Sequence, residues 1–221
     1  VVGLKYGTQD DLKTWVNLVG KILGQEDRAN NLLTWQDEKL REIQNLTSNL
    51  NESDKPKVLY LYSPDTLRTT GSGTYNNEYL GWTGAFNLAS GTKDFNDLTM
   101  EQIIAWDPEI IYVGNFGKSA AKDILSNSIP GQKWQSVKAV KNKRVYDVPL
   151  GSYRWDPPSQ ESPFMWMWLV SVQHPDLADF DLKAEMGNFY RKFYKYELTE
   201  EDYKQILKCG SEANGKLAVC R

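Results

Sequence analysis

The stretch KVLYLYSPDTLRTTGSGTYNNEYLGW (57–82) decides the fold class. After Lys57, residues 58–62 are an unbroken run of β-forming apolar and aromatic side chains, the composition of a strand buried on both faces. A loop rich in Ser, Thr, Pro and Gly (63–76) follows, and then a segment that reads as a helix. The pattern repeats downstream. Strands are predicted at EIIYVG (109–114) and KRVYDVP (143–149). Helices are predicted at LTMEQIIAWDP (98–108), KSAAKDILSN (118–127), PFMWMWLVSVQH (163–174), LKAEMGNFYRKFYKY (182–196) and TEEDYKQIL (199–207). In the first of these, Thr99 is a capping candidate, and Ile103, Ile104 and Trp106 are expected to face inward. Strands alternating with helices predict an α/β lobe with a mostly parallel sheet flanked by helices. In such sheets the loops after the strands share one rim, where ligands bind. Here those loops are 63–76, 114–119 and 150–160.

Upstream the periodicity is helical. In TQDDLKTWVNLVGKILG (8–24), Thr8 is an N-cap candidate, Leu12, Trp15, Val16, Val19 and Leu23 fall at helical spacing, and Gly24 is a stop. A longer helix follows from Gln25, with a stripe of Ala29, Leu32, Leu33, Leu40, Ile43, Leu46 and Leu50. About 25 residues at 1.5 Å each would span roughly 37 Å, enough to run along a body rather than sit inside it. The opening VVGLKYG reads as the last strand of something preceding it, and the absence of an initiator Met reads as a processed or truncated start. The expected division is a connecting helical segment over 1–52 and an α/β lobe over 53–221.

Composition narrows the chemistry. A net charge of −3 offers no basic excess for nucleic acid, and no apolar run reaches the length of a membrane span. Two cysteines, Cys209 and Cys220, are either free thiols or one small disulfide loop; they form no CxxC pair and are too few for a metal cluster. The one histidine, His174, sits at a helix end before Pro175, a structural position where a cation suits the helix dipole. Scarce His and unpatterned Cys argue against hydrolase and metalloenzyme chemistry.

Two loops carry candidate binding residues. In 63–76, Gly71 and Gly73 permit close backbone approach, hydroxyls come from Thr69, Thr70, Ser72 and Thr74, and Arg68 brings a planar cation. Tyr75 closes this segment. The spacing is not that of a P-loop; the alternative reading is a plain turn. In 150–160, Tyr153, Arg154 and Trp155 are consecutive and cannot all face a core. Aromatic faces and a bidentate cation suit an organic anion, and Pro157 and Pro158 stiffen the segment. The alternative is that Trp155 plugs a helix end.

Four pieces in register resemble one family: the extracytoplasmic substrate-binding proteins of ABC importers for iron–siderophores, haem, corrinoids and related metal chelates. They are GSGTYNNEYLGWTGAFNLAS (71–90), LTMEQIIAWDPEIIYVG (98–114), WQSVKAVKNKRVYDVP (134–149) and the closing helices from His174 to Leu207. The resemblance implies two α/β lobes joined by a rigid helix, with the ligand in the cleft between them. This chain then corresponds to the connecting helix and C-terminal lobe, with the N-terminal lobe and any lipid anchor on a missing portion. It further implies that Glu101 docks on a membrane permease and that Phe95 and Tyr153 line the cleft. Arg68, Thr70, Ser72, Tyr75, Phe95, Tyr153, Arg154 and Trp155 are thus the expected ligand wall. The expected protein is an extracytoplasmic monomer with no catalytic residue, no resident metal and no cofactor, carrying a ferric siderophore or similar chelate as cargo. The alternatives are a corrinoid or haem, a small oxyanion such as molybdate, or a metallochelatase-like enzyme.

Overall fold

The computed structural model describes residues 3–211 and 214–220. Helix α1 (Gln9–Leu23) begins at Thr8, whose side chain accepts from the Asp11 amide while Asp11 accepts from the Thr8 amide, and ends at Gly24 in the left-handed region. Helix α2 (Glu26–Thr47) packs antiparallel-hairpin fashion against it and spans about 33 Å. Val1 and Val2 lie outside the described residues, and Gly3–Tyr6 form no strand.

The remaining elements are β1 (Lys57–Ser63), β2 (Arg68–Thr70), α3 (Tyr75–Trp82), β3 (Phe86–Asn87), β4 (Phe95–Asp97), α4 (Met100–Trp106), β5 (Ile110–Val113), α5 (Ala121–Leu125), α6 (Lys138–Lys141), β6 (Val145–Asp147), α7 (Ser162–Gln173), α8 (Leu182–Phe189) and α9 (Glu200–Ile206). Helix α8 continues as a π-helical turn over Tyr190–Tyr194. The sheet order is β4-β2-β1-β5-β6. Strands β1, β5 and β6 are parallel, β3 runs parallel beside the start of β1, and β2 and β4 are antiparallel additions at the edge. The α/β expectation is met. The three short strands β2, β3 and β4 were hidden within what reads as loop, because two or three residues carry no measurable periodicity.

Pleating divides the core by parity. Val58, Tyr60, Ile110 and Tyr112 face α2, α3, α7 and α8, while Leu59, Leu61, Ile111 and Val113 face α4, α5 and the segment around Trp134. Nearly all of α7 is buried, including the alternating Met165–Trp168 run. In α4, Ile103 is buried but Ile104 is exposed, since a seven-residue helix has only one turn's width of face toward the sheet. His174 is buried beside Gly84, whose carbonyl lies 3.0 Å from Nε2. Burial holds its ionisation below the usual imidazole range, so it is a tie between loops rather than a cation on the helix dipole.

Helices α1 and α2 are pinned to the α/β part by a buried polar chain. Trp166 Nε1 donates to Tyr75 Oη, which donates to Gln9 Oε1; Gln9 Nε2 donates to Gln36 Oε1, and Gln36 Nε2 donates to the Ser159 and Gln160 carbonyls. Gln36 is fully buried in an otherwise apolar stripe. Gln36→Leu is expected to lower unfolding free energy by about 2–3 kcal/mol, because Gln9 Nε2 would lose its acceptor and the Ser159 and Gln160 carbonyls their shared donor. Urea unfolding of the variant checks this.

Cys209 and Cys220 are disulfide-bonded. The ring they close docks through Asn214, which donates to the Asp147 and Leu207 carbonyls and accepts from the Asp147 amide.

Candidate ligand site at the strand ends

The carboxyl ends of β1 and β5 bring together side chains from three loops. Tyr62, near the end of β1, stacks on Phe116 with centroids 4.0 Å apart and meets Phe95 of β4 edge-on at 5.1 Å. An arginine caps each end of this row. The Arg68 guanidinium lies 5.5 Å from the Phe95 centroid, and that of Arg154 lies 4.7 Å from the Phe116 centroid. Arg68 is exposed and only loosely paired with Asp97, at 3.8 Å. Arg154 is half-buried; its Nε is shielded and has no hydrogen-bond partner, and among the described residues no carboxylate pairs with it. The result is an aromatic track with a cation at either end, in which Phe95 is the exposed ring and Tyr62 and Phe116 are half-buried.

Of the expected wall, Arg68, Phe95 and Arg154 fall on this track. Tyr153 is exposed but lines a different groove of about 860 Å³, between α1, α2 and Phe189, Phe193 and Tyr194. No track residue lines that groove. Trp15, Val16, Val19 and Leu23 of α1 form its far wall, which is why the stripe of α1 is only partly covered.

Trp155, Thr70 and Tyr75 do not offer a surface. Trp155 is fully buried, packed against Phe164 and donating from Nε1 to Glu161 Oε2 at 2.8 Å; it is a plug, because a buried carboxylate gives the indole N–H a partner inside. Tyr75 is a link in the buried chain to Gln9. Thr70 is buried in β2.

Ser72 is half-exposed, but its hydroxyl donates to the Thr92 carbonyl at 2.8 Å. Thr74 caps α3 and donates to the Gly71 carbonyl. The amides of Gly71 and Ser72 donate to the Asp94 and Thr92 carbonyls. A Cβ at Gly71 would come within 2.3 Å of the Thr92 carbonyl oxygen, so this glycine admits backbone rather than ligand. The donors of 71–74 are therefore largely engaged within the protein.

Loop 150–156 is held by Glu161. This carboxylate, fully buried, accepts from the Ser152 amide and hydroxyl, from the Tyr190 and Tyr194 hydroxyls and from Trp155. Burial, and then the negative Glu161, push both phenols well above their usual range, so they stay donors. Gly151 lies so close that a Cβ would come within 1.9 Å of Glu161 Oε2.

Glu101 is exposed in the first turn of α4. Its own backbone amide, then the Thr99 hydroxyl, holds the carboxyl below the usual range.

Tyr62, Phe116, Asp156 and Glu161 were not singled out by the sequence. Phe116 had a signal: an aromatic residue in NFGK directly after a buried strand, on the rim where ligands bind.

A family model described as "Periplasmic binding protein" matches residues 1–150, and the chain belongs to that family. A periplasmic solute-binding protein from Veillonella parvula has a solved structure that superposes with a TM-score of 0.91 at 36% identity, covering 97% of this chain and 65% of its own. The molybdate-binding protein MolA of Haemophilus influenzae is 28% identical over 84% of this chain and 52% of its own length. The Fe(3+)-citrate-binding protein YfmC of Bacillus subtilis is 25% identical over 64% of this chain and 43% of its own. The chain spans about half the length of the curated relatives it matches.

Proposed function

We propose that this chain forms part of the extracytoplasmic solute-binding component of an ABC importer, and that its cargo is an organic metal chelate, most simply a ferric siderophore or ferric hydroxycarboxylate. The observation that carries the reading is the track itself: Arg68 and Arg154 each lie against an aromatic ring, with Tyr62 between them. Guanidiniums pair bidentately with carboxylate or other chelate oxygens, and the rings meet an organic periphery. The cargo would leave to a membrane permease, with Glu101 on the docking face. The protein acts as a carrier rather than an enzyme in this reading, in line with relatives named as binding proteins.

A second reading, a small oxyanion, is favoured by the name of the molybdate-binding relative. Against it stand the engaged amides and hydroxyls of 71–74, since a naked oxyanion is held by such donors and needs no stacking face. A flat corrinoid or haem would also use the rings.

The test is titration of the whole protein with ferric citrate, a ferric tricatecholate, haem and molybdate, followed by intrinsic fluorescence and calorimetry. Micromolar or tighter binding of an organic ferric chelate supports the proposal. Saturable binding of molybdate alone would replace it with the oxyanion reading.

A further inference from the structure

Behind the track lies a carboxyl group that the binding reading does not use. Asp156 is 2% exposed, two residues beyond Arg154. Its Oδ2 accepts from the Asn115 amide at 3.1 Å and from Asn115 Nδ2 at 3.4 Å. The Asn115 side chain also donates to the Val148 and Pro149 carbonyls and accepts from Lys208 Nζ. Phe116, the next residue, carries the ring that Tyr62 stacks on and Arg154 covers. One buried carboxyl thus clamps together the two loops that supply one end of the track.

We infer that Asp156 is a positioning residue whose negative charge holds the 114–117 turn against the 154–156 segment, so that protonation of this carboxyl loosens Phe116 and weakens the grip on cargo. Among the described residues, Tyr60 from β1, Tyr79 from α3 and Lys208 from the segment after α9 face it. Asp156 Oδ1 and the Tyr60 hydroxyl are both buried without a hydrogen bond of acceptable geometry, although the hydroxyl is near enough to bear on the carboxyl's ionisation. The Tyr60 hydroxyl favours the ionised carboxylate as a donor, whereas a protonated Asp156 can itself donate toward that oxygen. Burial pushes the carboxyl up to about 6, against the opposing pull of the Asn115 donors and Lys208. Lys208 is itself held below the usual ammonium range by burial.

The sign of the linkage separates this role from simple structural support. A carboxyl raised on folding binds its proton more tightly in the folded chain. Its contribution to stability is therefore fully present below the ordinary value and lost as pH rises through about 6. Acidification should stabilise the fold through Asp156 while freeing the turn it holds. A residue that merely supported the fold would move both in the same direction.

The experiment is amide hydrogen exchange of Asn115, Phe116 and Gly117 in the whole protein without ligand, corrected for intrinsic rates, at about pH 7.5 and about pH 5, with Asp156→Asn alongside. Loss of the charge-assisted part of the Asn115 bonds should lower protection about tenfold across a midpoint near 6 in the parent. Asp156→Asn should be flat with pH, with a melting temperature equal to or above the parent's at neutral pH. Unchanged protection in the parent overturns the inference, and the parent profile decides this even if the variant misfolds. The same pH dependence in Asp156→Asn also overturns it, since another group would then be titrating. The consequence for cargo rests on the chelate reading and is measured separately with ferric citrate: no binding at either pH sinks that reading and leaves the exchange result to decide the clamp.

Discussion

Glu161→Ala is expected to destabilise the protein by about 4 kcal/mol or more, among the largest losses a single substitution produces. The side chain accepts from four residues, Ser152, Trp155, Tyr190 and Tyr194; the Ser152 amide and hydroxyl also reach the Tyr190 and Tyr194 hydroxyls, but the Trp155 indole and both phenols donate to Glu161. Each buried donor left unpaired costs roughly 1–3 kcal/mol, and the group as a whole falls short of the simple sum because the phenols can turn toward any water that enters. Domains of this size hold only about 5–15 kcal/mol in total, so the variant should unfold at much lower urea. Glu161→Gln is the informative control. It preserves shape and one acceptor oxygen but points an NH2 at remaining donors, and should recover only part of the loss. Chemical denaturation of both variants checks the order; an alanine variant as stable as the parent would show that loop 150–156 is held by something else.

Removing both track cations, Arg68→Ala with Arg154→Ala, is expected to weaken binding of an anionic ferric chelate by about a hundredfold or more. A hydrogen bond to a charged partner contributes roughly 1.5–3 kcal/mol, and two at separated positions should nearly add. Stability should change little, since Arg68 is exposed and its pairing with Asp97 is long. Arg154→Lys separates charge from shape. It keeps the cation but loses the flat face over Phe116 and should fall between parent and alanine. Calorimetric titration reads both effects. Equal affinity in the double variant would mean that the cargo is gripped elsewhere.

The large elements were legible because their signals are long. Fifteen residues of α1, with a capping box at one end and a left-handed glycine at the other, announce themselves. So do β1 and β5, whose apolar runs have no other reading in an alternating pattern. The candidate site was half legible. Arg68, Phe95 and Arg154 stand on the rim, but Trp155 and Tyr75 do not, because their burial depends on partners remote in sequence. Glu161 supplies an internal acceptor for the indole, and Gln9 supplies one for the phenol. Neither glutamate nor glutamine at those positions signals such a role locally. Tyr62 was missed for the opposite reason: it reads as ordinary strand apolar sequence, and its stacking on Phe116 marks it, whereas Phe116 carried a signal in its place directly after a buried strand.

The disulfide has a practical corollary. Its ring is seated by Asn214 on β6, and Cys209, Leu217, Val219 and Cys220 pack against the edge of the core cluster built on α7. Material produced where thiols stay reduced should therefore keep its strands and main helices, while the segment after Leu207 opens locally and becomes more sensitive to proteases before the rest melts.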